Sequence, residues 1–368
     1  MKRGAENSQN IRENKIKSWV HKHPNITVTI FCVAIIFVAI LAMFIIYEAT
    51  KPIEVTHTPI KVPTKAKETP KPIFYSPLTG NIVKTQEETK QAVTAIIIEN
   101  SPDARPHSGL KQAGIVYEAV TEGGITRLLA LYQEAKPSLI GPVRSLRDYF
   151  VDWIAAYDAS VAHVGGSYVS LQEVRNGNYK DIDQFFNGNY YWRATDRYAP
   201  HNVYTSFERL DELNKALGYT TSNFTGFSRK NSSPAETPTA QEINITFSGY
   251  WYNTTYIYDS ESNTYTRFIS GQQSIDREEG PITPSVLVVL KTNIYNVMQD
   301  GWRSHIDTIG AGSAVVFQDG IAIDCTWHKN SKKDPLVLKD NNGAEIKLNR
   351  GQTWISVVQD RQGVVTWQ

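Results

Sequence analysis

The feature that most restricts this chain is an uncharged, mostly apolar run over residues 26–47, ITVTIFCVAIIFVAILAMFIIY. As a helix that rises about 1.5 Å per residue, such a run spans the roughly 30 Å hydrocarbon layer of a bilayer. Residues 1–25 carry six Lys and Arg side chains against two Glu. Because basic flanks stay in the cytoplasm, the sequence predicts a signal anchor with everything after Glu48 outside.

Two other interpretations of this apolar run, a cleaved signal peptide and a lipid-modified cysteine, are disfavoured. A cleaved signal peptide usually has a shorter apolar region, and Tyr47-Glu48-Ala49 does not resemble a cleavage site between small residues. A lipid-modified Cys32 would need small residues before it, whereas Ile30-Phe31 stand there. We therefore predict a basic cytoplasmic segment over 1–25, a transmembrane helix over 26–47 and a single-pass protein of the plasma membrane.

The exported part of the chain begins with a predicted spacer over 48–74. Five prolines, at positions 52, 59, 63, 70 and 72, alternate there with Lys, Thr and Glu, a composition typical of stiff, solvated segments. With Cys32 in the membrane, Cys325 has no partner for an intramolecular disulfide. The fold must therefore rest on apolar cores, which a chain that is 41% hydrophobic can supply.

Residues 75–219 mix strand and helix patterns, which predicts a mixed α/β domain. Gly123-Gly124 between two apolar runs indicates a hairpin, and Ser145 with Asp148 has the spacing of a capping box. The predicted strands are 92–98, 115–120, 125–132 and 160–164, and the predicted helices are 145–157, 168–175 and 205–217.

The remainder of the chain is predicted to be mostly antiparallel β-structure. Residues 220–241 are rich in Ser, Thr, Asn and Pro without apolar period, as in a linker. Residues 242–368 alternate with period two, and Asp319-Gly320 and 341–343 are hairpin signals. Six or more short strands with such turns indicate an antiparallel sheet, sandwich or barrel.

Five short motifs, in one order along the chain, give it a family resemblance: ENSPDARP (99–106), EGGITR (122–127), GPVRS (141–145), HVGGS (163–167) and RYAPHN (197–202). Together they make residues 75–368 similar to the YerB-like family of two-domain bacterial lipoproteins, whose domains are of unknown function. That resemblance implies an extracytoplasmic role in the cell envelope and supplies no catalytic residues. The chain departs from the family's lipid anchor, since it has a predicted signal anchor.

Two predicted helix starts, each entered through glycine and serine, suggest an anion-binding surface because amides at a helix start have no partner in the helix. Arginine forks nearby would suit phosphate or carboxylate. The alternative is that most arginines pair with Glu99, Glu118, Glu122, Asp148 or Asp196. The predicted ligand-binding residues are Arg127, Arg144, Ser145, Arg147, Gly165, Gly166, Ser167, Arg197, His201 and Asn202.

Catalytic candidates are fewer. His201 lies on a predicted loop, whereas His163 lies in an apolar run that favours a hydrogen-bonded core histidine. A nucleophilic site would place Ser167 or Ser145 beside one of these imidazoles, although GGS lacks the G-x-S-x-G elbow. Glu118 and Glu122 could form an acid/base pair, but charges at hairpin ends more often serve solubility. Trp302, Trp327 and Trp354 are more often core than sugar platforms.

Other classes of function are excluded or disfavoured. No zinc-ligand spacing, P-loop or dinucleotide fingerprint occurs, so we expect no metal and no cofactor. The part after residue 25 has three more acidic than basic side chains, which argues against nucleic acid. We predict a non-catalytic envelope protein that binds cell-wall polymer or a wall-synthesis partner; the alternatives are a wall-directed hydrolase or transferase using His201, and a purely structural spacer.

Overall fold

A computed structural model describes residues 3–52, 72–298 and 302–368 of the chain. The N-terminal part forms helix α1, Arg3–Lys22, and helix α2, Pro24–Ala49. Helix α2 contains the predicted span and is long and apolar enough to cross a membrane. Most of the spacer predicted over 48–74 lies outside the described residues.

Residues Lys71–Gln368 form one compact unit. Its helices are α3 (Asp148–Ala155), α4 (Tyr168–Asn176) and α5 (Phe207–Ala216). Its strands are β1 (Phe74–Tyr75), β2 (Ile82–Val83), β3 (Thr94–Glu99), β4 (Ile115–Val120), β5 (Thr126–Tyr132), β6 (Ser160–His163), β7 (Lys180–Asp183), β8 (Trp192–Arg193), β9 (Val203–Tyr204), β10 (Arg229–Lys230), β11 (Glu242–Ile245), β12 (Thr254–Asp259), β13 (Thr264–Ile269), β14 (Gln272–Gln273), β15 (Ile275–Asp276), β16 (Gly280–Pro281), β17 (Val286–Thr292), β18 (Ile294–Val297), β19 (Arg303–Ile306), β20 (Gly310–Gln318), β21 (Ile321–Lys329), β22 (Val337–Lys339), β23 (Leu348–Asn349), β24 (Thr353–Gln359) and β25 (Val365–Trp367).

A ten-stranded mixed sheet, in the order β22-β21-β20-β17-β24-β4-β5-β3-β6-β7, runs through this unit. Strand β24 pairs in parallel with β17 on one side and β4 on the other, with Thr353 opposite Ile115. Strand β5 pairs antiparallel with β4 on one side and β3 on the other, and β6 and β7 extend the sheet beyond β3 in parallel. The predicted mixture of helices and strands before residue 220 is confirmed.

The two faces of this sheet bury two apolar cores, as period-two alternation requires. On β3, Ala95 and Ile97 belong to one core and Ile96 and Ile98 to the other. The first core includes the apolar faces of α3 and α4, and the second includes α5 and strands of a second sheet.

That second sheet is five-stranded and antiparallel, in the order β14-β13-β12-β11-β25. Burial alternates along β13, which places Tyr265 and Arg267 inside. The hairpin predicted at Asp319-Gly320 joins β20 to β21, and both residues have positive φ (57° and 77°), as a two-residue type I′ turn requires. The predicted, mostly antiparallel β-structure of the C-terminal half is confirmed.

The segment predicted as a linker, 220–241, packs onto the body. Its strand β10 pairs in parallel with β23, and Arg229 donates to the carbonyl oxygens of Leu78 (2.7 Å) and Asn349 (2.9 Å). Strands from the segments predicted as domains, 75–219 and 242–368, share the ten-stranded sheet. In the structure, therefore, residues 220–241 mark a change of strand pattern within one compact unit.

Candidate functional site

The first predicted helix start, around Ser145, is an extended segment in the structure. The Arg144 amide donates to the Ile97 carbonyl (2.8 Å) and the Leu146 amide to that of Gly165 (2.9 Å). Helix α3 begins only at Asp148, after Arg147 as N-cap, without a side-chain cap. The capping-box prediction at Ser145 is wrong because pairing with neighbouring strands satisfies the backbone there.

The second predicted helix start is correct in position, and three backbone donors around it have partners within the protein. Ser167 is the N-cap of α4, and its Oγ accepts from the Ser170 amide (3.3 Å). The Gly165 amide donates to Asp183 Oδ1 (3.0 Å), and the Ser167 amide donates to the Leu146 carbonyl (3.1 Å). Because these three amides donate within the protein, they are not free to bind an anion.

The arginines around these segments are engaged within the protein. Arg147 holds Glu122 with a fork of hydrogen bonds (2.6–3.0 Å), as the structural alternative predicted. Burial raises the pKa of Glu122, but the hydrogen bonds and charge of Arg147 outweigh it and leave this pKa below its usual range. Arg127 is buried and donates to the Ser145 carbonyl (2.9 Å), and burial lowers its pKa to about 10.

The remaining predicted residues form the loop that carries His201. Arg197 donates to the carbonyl oxygens of Asp103 (2.9 Å) and Pro106 (2.5 Å), which ties this loop to the segment after β3. Asn202 donates to the Arg197 carbonyl (3.3 Å). Arg197 and Asn202 therefore position the loop.

Glu99, at the end of β3, is the point where the predicted groups meet. This carboxylate is 4% exposed, and its Oε1 accepts from His201 Nδ1 (2.9 Å) and Ser101 Oγ (2.9 Å). Its Oε2 lies 3.3 Å from Arg144 Nε. Since Glu99 contacts Nδ1, it orients the imidazole, and Nε2 takes no part in this contact.

His201 lies on the wall of an open pocket of about 610 Å³. Its side chain is 22% exposed, and the neighbouring Tyr198 is 91% exposed. The Asp196–Arg277 ion pair (2.5 Å) lines another part of this pocket. We call the cavity the His201 pocket.

The structure does not support a serine nucleophile at this site. Ser167 is buried and bonded to Ser170, and His163 is fully buried between the Gly165 carbonyl (2.8 Å) and Asp181 (2.9 Å). His163 is thus the core histidine that its apolar surroundings predicted. Ser101 approaches His201 only at Nδ1 (3.3 Å), the nitrogen that Glu99 already uses, so the triad geometry is not present.

Sequence reasoning missed a buried ion pair between the two halves. Arg267 and Glu118 are 1% and 0% exposed, and Arg267 Nη2 lies 3.0 and 2.9 Å from the two carboxylate oxygens. The Trp354 indole donates to Glu118 (3.0 Å), so Glu118 and its partner Arg267 lie in the protein interior. The expectation that Glu118 serves solubility at a hairpin end is wrong. Arg267 itself could have indicated this ion pair, because it is a charged residue at an inward-facing position of a strand along which polar and buried positions alternate.

Comparisons with known proteins identify the family. Two family models match, both described as a protein of unknown function (DUF3048). The N-terminal domain model matches residues 78–220, and the C-terminal domain model matches residues 243–355. The chain belongs to the DUF3048 family. "Putative lipoprotein YerB" of Bacillus subtilis (strain 168) is 32% identical over 305 residues, 81% of this chain and 89% of YerB. A crystal structure of YerB from Bacillus subtilis superposes with a TM-score of 0.71 at 30% identity, covering 80% of this chain and 99% of the crystallised chain.

The YerB-like resemblance predicted from the short motifs is therefore confirmed. A relative named as a lipoprotein and an apolar N-terminal helix suggest that this member of the DUF3048 family is anchored to a membrane, with its body outside the cytoplasm. Among the described residues, no group of three or more His, Cys, Asp or Glu side chains is placed to hold a metal ion.

Proposed function

We propose that this chain is a single-pass membrane protein whose body binds a cell-wall polymer or a wall-synthesis partner at the His201 pocket, with no chemistry of its own. The uncharged span at 26–47 and the basic residues before it support the anchor and its orientation. The lipoprotein name of YerB supports the compartment.

The observation that carries the binding proposal is the convergence on Glu99. This carboxylate joins Arg144, from the extended segment, to His201, from the loop that lines the pocket. Buried polar groups with fixed partners hold a surface in one conformation, which lowers the entropy lost on binding. Tyr198 adds an exposed ring with a polar end at the same pocket, a combination common at binding surfaces.

The experiment is co-sedimentation of the full chain, in detergent micelles, with purified cell walls. The variants Tyr198→Ala and His201→Asn change the pocket, and the matched control is Tyr295→Ala, which removes a half-exposed tyrosine elsewhere. We expect roughly tenfold weaker binding in both pocket variants, the effect of losing one good contact. Unchanged binding in both variants would contradict the assignment of this pocket.

A second candidate function rests on the hydrogen bond between Glu99 and His201. A carboxylate that fixes the imidazole through Nδ1 is the arrangement of a general base, which would act on water or a substrate hydroxyl through Nε2. The test is release of soluble fragments from cell walls. Release that disappears in His201→Asn would favour a hydrolase or transferase, whereas binding without release favours the non-catalytic role.

A further inference from the structure

A second pocket, of about 430 Å³, opens where the two halves of the body meet. Arg105 and His107, from the loop after β3, form one wall, and residues between Tyr250 and Ile275 form the other. Its volume falls in the range of pockets that hold small molecules. Pro106 lines both this cavity, here called the Arg105 pocket, and the His201 pocket.

The charge of the Arg105 pocket is one-sided. Two arginines line it, and no Asp or Glu is among its described lining residues. Arg267 is balanced by Glu118 behind the wall, with both carboxylate oxygens within 3.0 Å. Arg105 instead donates to uncharged acceptors. Its Nη2 donates to the carbonyl oxygens of Asn100 and Trp251, each at 2.8 Å, its Nε to Asn100 Oδ1 (3.3 Å) and its Nη1 to Ser270 Oγ (3.4 Å). One positive charge therefore remains without a contacting carboxylate.

Burial and the excess positive charge lower the pKa values of Arg105 and His107 at this pocket. Burial and the charge of Arg267 lower the pKa of Arg105 to about 10, and the opposite charge of Glu118 offsets this only in part. Burial, together with the charges of Arg267, Arg105 and Arg197, lowers the pKa of His107 to about 3, so this histidine is neutral and adds no charge. An anion in the pocket would offset the repulsion between the two arginines.

Two aromatic rings stand at the same pocket. Tyr250 and Trp251 are 65% and 58% exposed, and both line it. Their rings meet edge to face, with centroids 5.3 Å apart at 71°, and the Tyr250 hydroxyl donates to the Ser270 carbonyl (2.8 Å). Because the Trp251 carbonyl also accepts from Arg105, the backbone that carries these rings is tied to the guanidinium.

We infer that the Arg105 pocket binds an acidic sugar, a hexose ring that carries a carboxylate. The carboxylate lies at Arg105, the apolar face of the ring lies against Trp251, and the exposed amides of Gln272 and Gln273 face its hydroxyl groups. Arg105 Nη1 makes only a long hydrogen bond to Ser270 Oγ (3.4 Å) and carries a second hydrogen, from which the carboxylate would accept a charge-assisted hydrogen bond. This inference goes beyond the proposed function, since it holds whether or not the His201 pocket binds cell-wall material.

The experiment is calorimetric titration of the full chain in detergent micelles with glucuronic acid, with glucose as the neutral counterpart. A short oligosaccharide of glucuronic acid distinguishes a site for free sugar acids from one for acidic glycans. The pocket variants are Arg105→Gln, which removes the charge, and Trp251→Ala, which removes the ring. The matched controls are Arg361→Gln and Trp302→Ala, two exposed side chains that line another cavity.

We expect binding of glucuronic acid that is at least tenfold tighter than that of glucose, and a loss of roughly tenfold or more in each pocket variant. The controls should bind as the unaltered chain does. Trp251→Ala leaves the backbone acceptor of Arg105 in place, so it tests the site even if Arg105→Gln fails to fold. Equal binding of glucose, no binding of either acid at millimolar concentration, or normal binding by Trp251→Ala would overturn the inference. Loss of acid binding in His201→Asn alone would assign the ligand to the other pocket and overturn it too.

Discussion

The buried ion pair between Glu118 and Arg267 allows the sharpest test of how the body is held together. Glu118→Gln keeps the size of the side chain but removes its charge and puts an NH₂ group where one carboxylate oxygen accepts. If the NH₂ group replaces Oε2, it faces the Trp354 indole donor; if it replaces Oε1, it faces the donors of Thr126 and Asn100 (both 3.1 Å). Arg267, 1% exposed, then keeps an unpaired charge. Breaking a buried pair from one side costs about 3–5 kcal/mol of the free energy of unfolding.

That loss is large against a total stability of roughly 5–15 kcal/mol. The assay is urea unfolding of the full chain in detergent micelles, followed by tryptophan fluorescence. At a slope of about 3 kcal/mol/M, the midpoint should fall by about 1–1.7 M. The control is Glu261→Gln at an exposed turn, which should change the midpoint by less than 0.2 M, as surface changes of about 0.5 kcal/mol do. A Glu118→Gln midpoint within the control's range would refute the claim that this pair is desolvated and mutually dependent.

Three further predictions concern the turn, the acid response and the anchor. Gly320→Ala should lose about 1–2 kcal/mol of unfolding free energy, since φ is +77° and an added Cβ would lie 2.6 Å from a tyrosine ring; Gly249→Ala, with nothing within 4 Å, is the control in the same chemical denaturation. His107 is fully buried and has a pKa of about 3 in the folded chain against 6.5 in the unfolded chain, so the unfolded chain binds more protons between these values and the free energy of unfolding should fall as the pH drops from 6.5 towards 3. The contribution of His107 is up to about 1.4 kcal/mol per pH unit. Unfolding midpoints measured across that pH range should show that His107→Gln removes this contribution and that His305→Gln, at a half-exposed site, does not. Cys32→Ser should leave the full chain in the membrane fraction after alkaline extraction, because the proposed anchor is the helix; release into the soluble fraction would indicate attachment through a lipid on that cysteine.

Much of the fold follows from local patterns. The hairpin at Asp319-Gly320 was predictable because a two-residue turn needs positive φ at both positions, and the strands β4 and β5 because apolar runs flank Gly123-Gly124. The joining of the two halves was not predictable, since nothing local in Thr353–Gln359 specifies a parallel partner more than 200 residues earlier.

The candidate site was predictable only in part. Sequence reasoning selected Arg144 and His201, but it expected them at bare helix amides, whereas Glu99 joins them. The capping-box pattern at Ser145 lost to strand pairing, a tertiary effect that no pattern of side chains records. Arg105 and Trp251 come together through packing of segments far apart in the chain, so their common pocket had no sequence signal.

The position of β24 at the centre of the large sheet has a consequence for how this protein is made. Strand β4 emerges early in synthesis, but its neighbour on one side is among the last segments to be translated; the Trp354–Glu118 contact joins residues 236 positions apart. Until then β4 presents an open edge, which is where foreign strands attach. A chain whose translation stops before residue 353 would therefore be an aggregation-prone fragment. Quality-control proteases, and not the loss of any one contact, would then set how much of this fragment accumulates.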